Sequence, residues 1–103
     1  SADYPAELLN WKEMPIEKTK INLEAILMLI EYWRDENFID PEFQNSLNDL
    51  ALKNGRGETF WSLRAALSGL KNSPGPAEIM TILGKTESVV RIKKALEKLE
   101  NAE

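Results

Sequence analysis

The chain contains no cysteine and no histidine among its 103 residues. The absence of cysteine excludes disulfides, thiolate nucleophiles and zinc–thiolate sites, and it fits the cytoplasm. The absence of histidine removes the usual general base near neutral pH and the commonest metal ligand. We therefore predict that this chain holds no catalytic residue and no metal site.

Long apolar runs are also missing. The longest extends from Ala25 to Ile30, far short of the roughly 20 residues that cross a bilayer. No signal peptide is recognisable. With 43% hydrophobic residues, only five glycines and five prolines, the chain is too apolar for disorder. A chain of this length buries roughly 65% of its unfolded surface, so one core suffices. Because no apolar run is long enough to cross a bilayer, no membrane contact is expected.

The amino terminus is Ser-Ala-Asp and lacks methionine. We interpret Ser1 and Ala2 as a protease or tag scar, and residues 3–103 as one helical domain cut from a larger protein. No repeat or low-complexity tract subdivides it.

Charge is unevenly distributed along the chain. Residues 1–52 carry four basic and eleven acidic residues, whereas residues 53–94 carry eight basic and three acidic ones. This basic block would attract phosphate if the fold brought its side chains to one face. The alternative is that these charges only solvate the outer faces of helices. The members of the block are Lys53, Arg56, Arg64, Lys71, Lys85, Arg91, Lys93 and Lys94.

Apolar residues recur at helical spacing, and no segment alternates as a half-buried strand does. The pattern predicts an all-α compact bundle or cage of about five to six helices. A short helix or strap is expected near residues 4–11, and a long helix after Pro15. A second helix is expected after Asp40 and Pro41, a third over about 58–69, a fourth ending at Gly84, and a fifth over 85–102.

The third predicted helix buries Phe60, Leu63, Leu67 and Leu70, which leaves Trp61 and Arg64 together on a more exposed face. The fourth is expected to bury Ile79, Ile82 and Leu83.

A Ser-Pro-Gly-Pro corner, formed by Ser73, Pro74, Gly75 and Pro76, joins the third and fourth predicted helices. Ser73 is a natural helix cap, and that structural role alone would explain it. A helix start also offers amide donors, and the two prolines leave a rigid, largely apolar edge that suits packing against an unpaired base.

Trp61 and Arg64, one turn apart, could present an aromatic ring and a forked donor to the same ligand. Alternatively, Trp61 belongs to the core and Arg64 pairs with an acidic residue such as Glu58 or Glu78.

Other polar clusters carry less information. Asp35, Glu36, Asp40 and Glu42 surround one loop, lack calcium-loop spacing, and are interpreted as caps and solubilising charges. Gly55 and Gly57 are predicted to form a turn.

The run FWSLRAALSG, the later SPGPAEIMTILGK and the closing basic amphipathic helix resemble the C-terminal anticodon-binding domain of bacterial-type glutamyl-tRNA synthetases. The upstream strap LLNWKEM and the helices after it agree with this resemblance. It implies an all-helical domain that helps to recognise the anticodon of the glutamate tRNA.

The resemblance also implies which residues face the anticodon. Arg64 takes the place of the family's arginine, and Ser73, Pro74 and Gly75 take its corner, with Trp61 compatible with the family's aromatic. Pro76 and Ala77 stand where the family often has larger apolar residues. With Lys71 from the basic block, the predicted set for tRNA is Trp61, Arg64, Lys71, Ser73, Pro74, Gly75 and Pro76.

The family's catalytic signatures are absent, so this chain would not activate glutamate. The resemblance implies a parent class I ligase that uses ATP and Mg²⁺, acts in the cytoplasm, and holds this domain in cis as a monomer. Two alternatives remain open: a helical protein-interaction module that docks through its acidic first half, and the same domain from a class I synthetase of another amino-acid identity.

Overall fold

The computed structural model describes residues 3–34, 38 and 40–102. Within these ranges the chain forms four α-helices and one short 3-10 helix, and it has no strand. The α-helices are α1 (Ile16–Tyr32), α2 (Pro41–Asn54), α3 (Arg56–Ser68) and α4 (Pro76–Ala102), and the 3-10 helix is Ala6–Leu9. The all-α class is confirmed, and the expected five to six helices is slightly too high.

The difference in helix number has a local cause. The predicted fourth and fifth helices are joined into one element, α4, whose helical backbone is interrupted at Gly84, where φ is +81° and ψ is 171°. The boundary predicted at Gly84 is therefore present as a kink within α4. Ser1 and Ala2, which we interpreted as a scar, and the Asp35–Glu36 part of the carboxylate cluster lie outside the described residues.

Helix α3 lies at the centre of the fold and packs against the other three α-helices and the 3-10 helix. Its buried stripe meets apolar residues from every neighbour, which produces one continuous core. None of the helices described is both long and apolar enough to cross a membrane. The largest fully buried core residues are Leu9, Leu23, Ile26, Ile30, Phe38, Phe43, Leu63, Leu67, Met80, Ile92 and Leu99.

The start of α2 follows the sequence prediction. The Asp40 carboxylate accepts a hydrogen bond from the Glu42 amide at 2.9 Å, and Pro41 is the first helical residue. Both features satisfy the open amide end of a helix. Helix α3 begins at Arg56, two residues earlier than expected, directly after Gly55 with its φ of +99°.

Two apolar residues expected in the core lie on the surface. Leu70 is 58% exposed and Ile82 is 81% exposed. Leu70 follows the left-handed Gly69 that ends α3, so it leaves the buried stripe of that helix. In the first turns of α4, Ile79 and Met80 point inward and Ile82 points out. These two predictions were wrong.

A buried aromatic cluster was not anticipated. Phe38, with a φ of +57°, is 1% exposed, and its ring centroid lies 4.6 Å from that of Phe43. The Trp33 ring meets Phe43 edge-on at 5.2 Å. The polar residues around position 38 concealed this anchor, because a single aromatic carries no periodic signal.

One buried hydroxyl provides a test of the core. Ser88 is fully buried in α4, and its Oγ has no hydrogen-bond partner among the described residues. Because an unsatisfied buried hydroxyl is costly, Ser88→Ala is expected to raise the free energy of unfolding by about 1 kcal/mol in chemical denaturation.

Ser62→Ala is the matched control for this prediction. Ser62 is equally buried, but its hydroxyl donates to the Thr59 carbonyl at 3.4 Å, so this variant should gain no stability. A destabilised Ser88→Ala protein, or an equal gain in both variants, would contradict the interpretation.

Candidate nucleic-acid interface

Arg64 fastens the Ser-Pro-Gly-Pro corner to α3. Its Nη2 donates to the Ser73 carbonyl at 3.2 Å, and its Nε lies 3.4 Å from Ser73 Oγ. Within the described residues it forms no ion pair with Glu58 or Glu78, so that alternative is wrong. These bonds use Nε and Nη2 of the half-buried Arg64 side chain, and Nη1 forms no hydrogen bond with the described residues, so it can still donate to a ligand.

The corner itself differs from the expected helix cap. Helix α4 begins at Pro76, and the Gly75 carbonyl accepts its first intrahelical hydrogen bond, from the Ile79 amide at 3.2 Å. Gly75 therefore occupies the cap position. The Ser73 hydroxyl instead donates to the Pro74 carbonyl at 3.0 Å and faces Arg64. Ser73 thus shapes the turn rather than capping the helix.

The outer side of the corner is open. Lys71, Pro74 and Gly75 are exposed, whereas Ser73 and Pro76 are half-buried. A Cβ atom added to Gly75 would meet nothing within 4 Å, so nothing inside the domain requires glycine there. Because no contact within the domain requires glycine at position 75, we interpret this small residue as leaving room for another molecule to approach the corner closely.

Trp61 makes a different contact from the one that Arg64 makes. Its Nε1 donates to the Leu8 carbonyl at 2.9 Å, which ties the 3-10 helix to α3. The indole is half-buried, so its N–H is used inside the domain while part of the ring remains accessible. The structure therefore joins Arg64 to Ser73 but gives Trp61 a separate anchoring contact.

A groove of about 680 Å³ adjoins the corner, between α2, the start of α3 and the start of α4. We call it the α2–α4 groove. One wall contains Gly75 and Pro76, so the groove and the corner share residues. On the α3 side, the Arg56 guanidinium lies 5.3 Å from the centroid of the Phe60 ring. Further lining residues are Gln44, Leu47, Asn48, Glu78 and Ile82.

The basic block does not form a single patch. Arg91 donates to the Leu67 carbonyl and pairs with Glu87, and that hydrogen bond lowers the pKa of Glu87. Lys85 donates to the Glu31 and Trp33 carbonyls at the end of α1. These cations complete the negative end of a neighbouring helix and stabilise the fold.

Two further cations of the block also lie away from the corner. Lys93 pairs with Glu31 at 3.6 Å, and Lys94 lines a separate groove beside Tyr4. Arg56 lines the α2–α4 groove, Arg64 contacts the corner and Lys71 lies two residues before it in the chain, so these three cations can meet a phosphate backbone there.

No cluster of three or more histidine, cysteine, aspartate or glutamate residues suitable for a metal ion occurs in the part of the chain that the structure describes.

The family model for the anticodon binding domain matches residues 1–96 of this chain. The chain belongs to the anticodon-binding domain family. Three similar relatives, each named glutamate–tRNA ligase, come from Clostridium acetobutylicum, Clostridium botulinum strain Eklund 17B and Clostridium novyi strain NT. They are 41%, 35% and 35% identical to it over 105 residues.

The matches cover 95%, 95% and 97% of this anticodon-binding domain but only 21% of each relative. The chain thus spans about one fifth of the length of the ligases that it matches. No solved structure matches it significantly.

Sequence reasoning missed the α2 side of this anticodon-binding domain's groove. Gln44 and Asn48 carried no signal, because nothing local shows which face of α2 meets the corner. Phe60 did carry one: it was assigned to the buried stripe, yet it is half-buried and lines the groove. Arg56 and Arg64 lie four residues on either side of Phe60, a spacing that places all three on one face of α3.

Proposed function

We infer that this chain recognises the anticodon loop of the glutamate tRNA as one domain, residues 3–103, of a glutamate–tRNA ligase. Its membership of the anticodon-binding family and the names of its relatives support this function. The observation that carries the inference is the exposed corner, which Arg64 holds against α3 through its two contacts with Ser73. Unpaired anticodon bases are recognised in this way, by stacking and by hydrogen bonds to their edges.

The residues divide the work by their chemistry. Arg64 stacks on or donates to an unpaired base, while Pro74, Gly75 and Pro76 supply a rigid edge for the base to pack against. Ser73 keeps Arg64 and the corner in register, and Lys71 attracts the phosphate backbone. Trp61 contributes the accessible part of its ring, since its N–H is bonded to Leu8.

Catalysis belongs to the remainder of the parent enzyme. That remainder binds ATP and Mg²⁺ and attaches glutamate to the tRNA, an activity supported by the name of the relatives, glutamate–tRNA ligase. The ligase works in the cytoplasm as a monomer, with this domain in cis. Anticodon binding by the domain alone is weak, since contacts to the rest of the tRNA are lost.

Chemical-shift mapping tests this function. An isotope-labelled chain titrated with the anticodon stem-loop of the glutamate tRNA is expected to shift most at amides of Arg64, Lys71, Ser73 and Gly75. A stem-loop of equal length with an unrelated anticodon is the control, and it should produce smaller shifts there. Shifts confined to residues 3–52 would favour the protein-interaction module, and equal shifts with both stem-loops would contradict anticodon recognition.

A further inference from the structure

We propose that the α2–α4 groove holds a second unpaired base, next to the one at the corner, and that Gln44 and Asn48 determine which base is accepted. This inference rests on the proposed function, because it assumes that a single-stranded loop lies on the corner. It adds a specificity-determining subsite formed largely by α2.

The corner and the α2–α4 groove form one continuous surface. Gly75 and Pro76 belong both to the corner and to the wall of the groove, so an RNA chain lying on the corner enters the groove next. Arg56, Phe60 and Arg64 extend this surface along α3 at intervals of four residues. Eight residues of helix cover about 12 Å, the length of about three stacked nucleotides. One strip of α3 is therefore long enough for more than one base.

The α2–α4 groove has a size and shape suited to a base. At about 680 Å³ the groove lies within the range of about 300–1,000 Å³ that is usual for small-molecule sites. Leu47 is buried at its base, and Ile82, 81% exposed, is an apolar side chain with most of its surface uncovered. A planar base entering between α2 and α4 would cover apolar surface that the fold alone leaves in water.

Arg56 and Phe60 provide a stacking surface in the groove. The exposed Arg56 guanidinium lies over the ring of the half-buried Phe60, so the aromatic ring supports a flat cation whose outer side can face a base. Aromatic rings and arginine planes are the surfaces on which proteins stack unpaired bases, whatever their sequence. These two residues therefore supply binding without base selectivity.

Two amide side chains on α2 can select between bases. Gln44 and Asn48 lie one turn apart on α2 and face the same groove. Each amide offers both a donor and an acceptor, the combination that pairs with the edge of a particular base. Glu78 on the opposite wall repels phosphate, so the sugar–phosphate backbone stays on the Arg56 side and the base points inward.

The experiment compares base preference rather than affinity alone. The labelled chain is titrated by NMR with the anticodon stem-loop of the glutamate tRNA and with stem-loops that carry single-base changes at each anticodon position. Gln44→Met and Asn48→Leu keep side-chain size but remove the hydrogen bonds. Asn45→Leu is the matched control, because Asn45 is exposed on α2 and does not line the groove.

Gln44→Met or Asn48→Leu is expected to reduce discrimination about tenfold at one anticodon position and to leave the other positions unchanged. Asn45→Leu should keep the wild-type preference. If both groove variants discriminate as the wild type does while Arg64→Ala weakens binding, the groove is not a base subsite and the proposed function stands. If the wild-type chain binds none of the stem-loops, the proposed function fails, and this inference fails with it.

Discussion

Replacing Arg64 with alanine is expected to weaken binding of the glutamate-tRNA anticodon stem-loop by about 5- to 150-fold. Loss of one stacked base costs about 1–3 kcal/mol, which corresponds to that range of dissociation constants. The substitution also releases Ser73 from both of its contacts with the guanidinium, so the corner loses its orientation as well. Fluorescence anisotropy, supported by a thermal melt to confirm folding, measures the effect.

Two variants separate geometry from charge in this experiment. Lys93→Ala removes one positive charge from an exposed side chain that pairs with Glu31, away from the corner, and should change affinity by less than about twofold. Arg64→Lys retains the charge but lacks the planar fork, so it should bind nearly as weakly as Arg64→Ala. Wild-type affinity in Arg64→Ala, or an equal loss in Lys93→Ala, would contradict a specific role for Arg64.

Local signals in the sequence predicted local structure well. The Asp40 cap needs only the residues next to it, and the glycine at position 84 changes the backbone wherever the chain lies. Helical periodicity likewise identified core residues, including Leu63, Leu67 and Ile79. These features depend on a few adjacent residues, so they can be found before the fold is known.

Features that depend on tertiary packing were not predictable in the same way. Ile82 satisfies the apolar spacing of a buried residue, yet the packing of α4 on α3 leaves it in solvent. Gln44 and Asn48 become groove residues only because α2 lies beside the start of α4. The family resemblance placed Arg64 and the corner against the same anticodon bases but did not predict the contacts between Arg64 and Ser73, and periodicity alone left Arg64 open between a ligand contact and an ion pair.

The kink at Gly84 in α4 affects both the stability of the fold and the placement of the Ser-Pro-Gly-Pro corner at the start of that helix. Gly84→Ala is expected to lower the free energy of unfolding by about 1–3 kcal/mol, because a φ of +81° with a ψ of 171° is strained for any residue with a Cβ. For a chain of this size that equals a fall of roughly 4–20 °C in the midpoint of a thermal melt. Straightening α4 does not avoid the cost. It would draw Ile79 and Met80 out of the core, and each of them loses about 1.5–3 kcal/mol when fully exposed.

Gly75→Ala is the matched control for Gly84→Ala. It introduces the same methyl group, but Gly75 has no positive φ, and the new Cβ would meet no atom within 4 Å. Its free energy of unfolding should stay within about 0.5 kcal/mol of wild type, because lost chain entropy and the weaker cap preference of alanine nearly offset each other. Since the kink also positions Lys85 on the end of α1, the resonances of Trp33 should move in Gly84→Ala and stay in place in Gly75→Ala. Equal melting temperatures for the two variants would show that α4 accommodates a straight path, and that Gly84 does not fix the placement of the corner against α3.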